Sequence, residues 1–114
     1  PPSCPPDAAF ARDQKAFRVV RQDPPGPNDL LTHQELGTAH NADPCRRAAI
    51  SVYLTYEQAI HRLELSPHLG QHVAAVDLTA AHGPISPPQP HSGHMDWWPL
   101  RGMRRHSEFK LVQP

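Results

Sequence analysis

The stretch A-I-S-V-Y-L-T-Y-E-Q-A-I-H-R-L-E-L, residues 49–65, decides the fold. Its first half is β-rich, and residues 50–54 predict a strand. Thr55 follows at once, and its hydroxyl can accept from the free N–H groups of a first helical turn. Gln58 stands three residues later, where a capping box places Glu or Gln. Ala59, Ile60 and Leu63, with Tyr56, then recur at helical spacing and give one apolar face. Ser66-Pro67 ends the helix. The reading is a strand that turns directly into an amphipathic helix.

Working outward, F-R-V-V-R at 17–21 lies in a predicted strand over 16–22, with an arginine at each end. Residues 71–78 predict a third strand, apolar on both faces and therefore internal to its sheet. Residues 109–112 read as one more strand-like run. The bend D-P-P-G-P-N-D at 23–29 leads to a helical turn over 30–36, capped by Asn28 or Asp29 and closed by Gly37. Residues 38–47 are a polar loop. Three or four strands around one main helix predict a small single α+β domain over 16–114, with a curved mixed or antiparallel sheet. Residues 1–15 read as a leader or flexible tail carrying a short helical turn over 8–15.

Fifteen prolines fall into three clusters, so they punctuate a compact fold rather than mark a disordered chain. Eleven basic and eleven acidic side chains cancel, which leaves no net field to draw nucleic acid or an anionic membrane. The cluster Arg101, Arg104 and Arg105 reads as solvated surface. No apolar run approaches the length that spans a bilayer, and the expected location is cytoplasmic. Cys4 and Cys45 are then expected as reduced thiols, with a single bridge between them left open.

Arg18 lies on the first predicted strand, Tyr53 ends the second and Glu64 lies near the end of the helix. An arginine fork suits phosphate oxygens, a tyrosine ring stacks on a base or nicotinamide, and a carboxylate meets a ribose. Each has a plainer reading: Tyr53 packing with its hydroxyl at the surface, Glu64 solvated beside Arg62 or His61, Arg18 outward on an edge strand.

The segments F-R-V-V-R, L-L-T-H-Q-E-L-G and I-S-V-Y-L-T-Y-E-Q-A resemble small bacterial domains of the ADP-ribosyltransferase-like class, nearest in pattern to the RES-domain toxins. The resemblance covers about residues 16–80. It implies that NAD is bound as a substrate and cleaved at the nicotinamide–ribose bond by an NAD-consuming transferase or glycohydrolase. Arg18, Tyr53 and Glu64 would be the catalytic residues, with Arg21, Ser51 and Trp98 binding the nucleotide. The glycine-rich, tryptophan-containing loop of RES domains has no counterpart, and A-D-P-C-R-R-A stands in its place. The Arg–Ser–Glu transferases of the same class offer a second mapping, onto Arg21, Ser51 and Glu108.

H-S-G-H-M-D supplies His91, His94 and Asp96, a set that could close on a divalent ion but wants a fourth ligand, such as His82 or His106. The plainer reading is a polar loop without metal. Trp97 and Trp98 are adjacent, so on a strand they face opposite ways, one into the core and the other over a ligand or partner. The alternative function is therefore a noncatalytic interaction module that meets a protein partner through the tryptophan loop and the proline-rich segments. Exposed tryptophans and a short edge strand would also suit a homodimer.

Overall fold

The first strand in the chain becomes the middle of the sheet. The structure, a computed structural model, describes residues 3–112. Five antiparallel strands, β1 (Gln14–Val20), β2 (Ile50–Tyr53), β3 (His72–Leu78), β4 (His94–Trp97) and β5 (Lys110–Leu111), lie in the order β4-β2-β1-β3-β5. Three helices accompany them: α1 (His33–Leu36), α2 (Pro44–Arg47) and α3 (Tyr56–Leu65). The α+β class holds, with one more strand than expected. The addition is β4, hidden in a histidine-rich segment that reads as loop. β3 is internal, as its two apolar faces require.

Strand register sorts the side chains onto two faces. The pairs Ala16↔Val76, Ile50↔Trp97 and Val52↔Met95 share one face, and all six residues are buried. No long helix covers that face. Leu30, Ile85 and Phe109, carried on loops and short turns, close over it, and the Trp97 and Phe109 rings lie 6.0 Å apart. Burying a side chain such as Leu30 or Ile85 contributes about 1.5–3 kcal/mol relative to exposure. The loop-covered face thus holds most of the fully buried apolar bulk. The opposite face, with Phe17, Ser51, Tyr53 and His94, carries α3 and the cleft. There Ala59 is buried and Tyr56 meets Phe17 edge-on at 6.4 Å.

The caps come out largely as the residues dictate. Thr55 Oγ1 accepts from the Gln58 N–H and Gln58 Oε1 accepts from the Thr55 N–H, both at 3.1 Å. A second box joins Thr32 and Glu35 at the start of α1, which begins later than the turn expected from Asn28 or Asp29. Gly37 ends that helix at φ +70°, a left-handed conformation glycine adopts without cost. Asp29 is no cap for α1. It turns inward, 6% exposed, and its carboxylate accepts the N–H groups of Arg21, Gln22 and Gly26 at 2.7, 3.2 and 3.1 Å. One side chain thereby holds the proline-rich bend.

The amino-terminal segment also departs from expectation. Residues 8–13 are not helical, and they are fastened to the sheet. Phe10 bridges Ile85, and Arg12 donates to the carbonyls of Ile85 and Ser86 at 2.5 and 2.9 Å. Cys4 and Cys45 form a disulfide, so the expected reduced thiols are corrected. Both tryptophans are buried. Trp97 donates its ring N–H to the His82 carbonyl and Trp98 donates to that of Cys45, so neither offers the surface expected for a partner or a dimer. Among the described residues no helix is long and apolar enough to cross a membrane.

Candidate functional site

A cleft of about 780 Å³ opens on the α3 side of the sheet, a size typical of small-molecule sites. Ser51, Tyr53 and His94 from β2 and β4 contribute to its floor. One wall is α3. The facing wall is the segment from Asn28 to Leu36, and Arg46 of α2 and the turn at Gln89, His91 and Ser92 complete it.

The helical wall follows from spacing. Glu57, Gln58, His61, Arg62 and Leu65 succeed one another at one- and three-residue intervals, so they share the face of α3 that lines the cleft. Ala59 and Leu63 point to the other side. Glu64, seven residues after Glu57, lies at nearly the same helical phase, yet it is exposed and does not line the cavity. Glu57 therefore occupies the place that the sequence reading gave to Glu64.

Arg18 is the most deeply set cation in the cleft. The β1–β2 ladder holds one pair, Phe17↔Tyr53, and the guanidinium enters where it stops. Its Nε donates to the Asp29 carbonyl at 2.8 Å and its Nη1 to the Ser51 carbonyl at 2.7 Å. Burial lowers its pKa to about 10, against the opposing pull of Asp29 and Tyr53, so it is still protonated at neutral pH. Two of its donor groups are spent on backbone, and Nη2 takes part in neither bond. Arg21 reaches the His68 carbonyl at the other end of the cleft.

Arg46 and Arg62, like Arg21, are exposed cations of the cleft. Arg46 pairs with Asp96 at 3.6 Å, an exposed contact worth about 0–1 kcal/mol that a ligand anion could displace. Asp96 Oδ1 is also 3.6 Å from His94 Nε2, and the same nitrogen lies 2.9 Å from Ser51 Oγ. Burial lowers the His94 pKa below its ordinary value; Asp96 opposes the shift, and Arg46 and Arg62 add to it. The ring is therefore neutral at pH 7. Tyr53 packs edge-on to that ring at 5.7 Å. Burial raises its hydroxyl pKa, partly countered by Arg62 and Arg18, so it stays a phenol.

Of the residues expected from sequence, Arg18, Arg21, Ser51, Tyr53, His91 and His94 line one cleft. Glu64, Trp98 and Glu108 do not. Glu108 sits in a short turn before β5, 3.8 Å from His82 Nε2, so the Arg21–Ser51–Glu108 set is not brought together. Among the described residues no group of three or more metal-ligand side chains is placed to hold an ion, His91, His94 and Asp96 included. Arg46, Glu57 and Arg62 were not singled out. The available signals were the R-R pair after a helix-starting proline and the four-residue spacing along α3.

The cleft is electrically unlike the chain. Overall the charges balance, yet four arginines meet two carboxylates here, and one of those, Asp29, is committed to backbone N–H groups. Set against protein-family models, curated proteins and solved structures, the chain matches none.

Proposed function

We propose that the protein binds a phosphate-bearing nucleotide in this cleft, with NAD the first candidate. The observation that carries the reading is the convergence of Arg18, Arg21, Arg46 and Arg62 on one cavity in a chain of zero net charge. Guanidinium groups grip phosphate oxygens in pairs, and a concave wall strengthens their field. Arg46 and Arg62 are the grip, while Arg18 sets the floor. Tyr53 offers a ring for the base or nicotinamide, and Glu57 offers a carboxylate to ribose hydroxyls. The Cys4–Cys45 bond supports an oxidising compartment, rather than the cytoplasm, as the place of work.

Calorimetric titration with NAD, ADP and inorganic phosphate tests the proposal, with free nicotinamide assayed on the same samples. Tryptophan fluorescence is a poor reporter, because neither indole lines the cleft. Binding that weakens with salt supports the reading. Nicotinamide release would add NAD-consuming chemistry of the ADP-ribosyltransferase-like kind; binding without release would make the protein a nucleotide-binding module. No heat from any of the three at millimolar concentration would overturn it.

A further inference from the structure

We infer that Ser51 and His94 form a nucleophile–base pair, and that the cleft transfers or hydrolyses a carboxylic ester carried by its anionic ligand. The pair stands on β2 and β4, next to each other in the sheet and facing the cavity. Ser51 Oγ lies 2.9 Å from His94 Nε2, within reach for direct proton transfer. The His94 side chain is 14% exposed, held by the edge of the Tyr53 ring. In the Nδ1–H tautomer of the neutral ring, Nε2 is open to accept the serine proton.

Asp96 distinguishes this arrangement from a serine–histidine–aspartate triad. It approaches Nε2, not Nδ1, so it does not orient the neutral ring through a bond to the far nitrogen. Its carboxylate becomes useful only after the proton moves, when an imidazolium stands 3.6 Å away. The geometry is that of a dyad with an acidic neighbour matched to the charged state.

The step balances without any further reactant but water. Ser51 Oγ bonds to the ester carbonyl carbon as its proton passes to Nε2. The carbon–oxygen bond to the leaving alcohol breaks, and Nε2 returns the proton to that oxygen. Water then attacks the acyl-serine, gives a proton to Nε2, and the acid departs as the proton returns to Oγ. The arginines explain which esters enter: the ester is neutral, and a phosphate elsewhere in the molecule gives the cleft its hold. That half of the inference rests on the nucleotide reading, so the substrate class is an acylated nucleotide.

The test uses phenylmethylsulfonyl fluoride, a neutral serine reagent that needs no anion grip, with the modified residue located by tandem mass spectrometry. Expected is labelling at Ser51, slowed about 100-fold in His94→Gln. Glutamine keeps an acceptor for the serine hydroxyl, and matching melting curves separate lost basicity from lost fold. Labelling at Ser51 no faster than at other serines, or undiminished in His94→Gln, would overturn the pair. ADP should protect Ser51. Labelling that ADP does not slow would sink the acylated-nucleotide assignment and the nucleotide reading beneath it, while the dyad would stand.

Discussion

Arg18 Nη1 lies 2.7 Å from the Ser51 carbonyl, a bond from a β1 side chain to the β2 backbone at the point where the two strands stop pairing. The same guanidinium holds the Asp29 carbonyl of the proline-rich bend at 2.8 Å. It is therefore a structural clamp as much as a cleft cation. Arg18→Ala leaves both carbonyls without their donor and should cost about 2–6 kcal/mol, at about 1–3 kcal/mol for each buried group left unpaired. Urea unfolding measures it. A loss below about 0.5 kcal/mol, the scale of an ordinary surface substitution, would show the clamp to be unimportant.

Arg46→Ala and Arg62→Ala should behave the other way. Both side chains are exposed, and the Arg46–Asp96 pair contributes little to folding. Each substitution should leave the melting temperature nearly unchanged and weaken nucleotide binding about tenfold, the loss of one charge-assisted bond. Titrations at low and high salt should show a smaller salt dependence in each variant. Unchanged affinity in both would remove these arginines from the grip.

Stability should fall in two separate acid ranges. His94 has a folded pKa below its ordinary 6.5, so the unfolded chain takes up a proton that the folded chain resists. Its contribution is complete above that value and declines as pH falls toward the lowered one. Glu35 also has a lowered pKa, chiefly through its hydrogen bond from Arg105, so its contribution is complete above 4.5 and declines below it. Urea midpoints across pH should show both declines. His94→Gln should flatten the first and Arg105→Ala the second.

The disulfide closes a separation of 41 residues between the amino-terminal segment and α2, the helix that carries Arg46. Thiol titration of the denatured, unreduced protein should find no free thiol. Reduction should lower stability by about 2–4 kcal/mol. Protein lacking the bond but equally stable would show that the Phe10 and Arg12 contacts alone hold the segment.

Residues 49–65 are legible because local rules and tertiary packing agree there. The strand, the Thr55–Gln58 box and the stop at Ser66-Pro67 each follow from neighbours in sequence. β4 was not legible as a strand, because polar His94 and Asp96 occupy the sheet face away from the core and leave only Met95 and Trp97 to mark the apolar face. Asp29 reads as a cap by type, yet three N–H groups brought in by the bend draw it inward. The cleft shows the same division. Arg18, Ser51 and Tyr53 could be picked out from their strands, whereas Glu57 and Glu64 stand seven residues apart at nearly the same helical phase, so spacing alone does not tell which carboxylate lines the cavity. No pattern in sequence sets His94 diagonally across from Ser51; that requires the register of β4 on β2, which pairs His94 with Tyr53 and Asp96 with Ser51.

The covering of the sheet by irregular segments reverses a common guide for protein engineering. Connections between strands usually accept insertions, because little packs on them. Here Ile85, in the midst of prolines, has no exposed surface and bridges both Phe10 and Trp97. An epitope spliced into residues 84–86 would pull a core side chain out with it. The turn at Gly102 is different: at φ +85° it has open space around it, with no atom within 4 Å of where a side chain would begin. A tag or a fused domain belongs beside Gly102. In this chain, backbone without helix or strand is as much interior wall as connection.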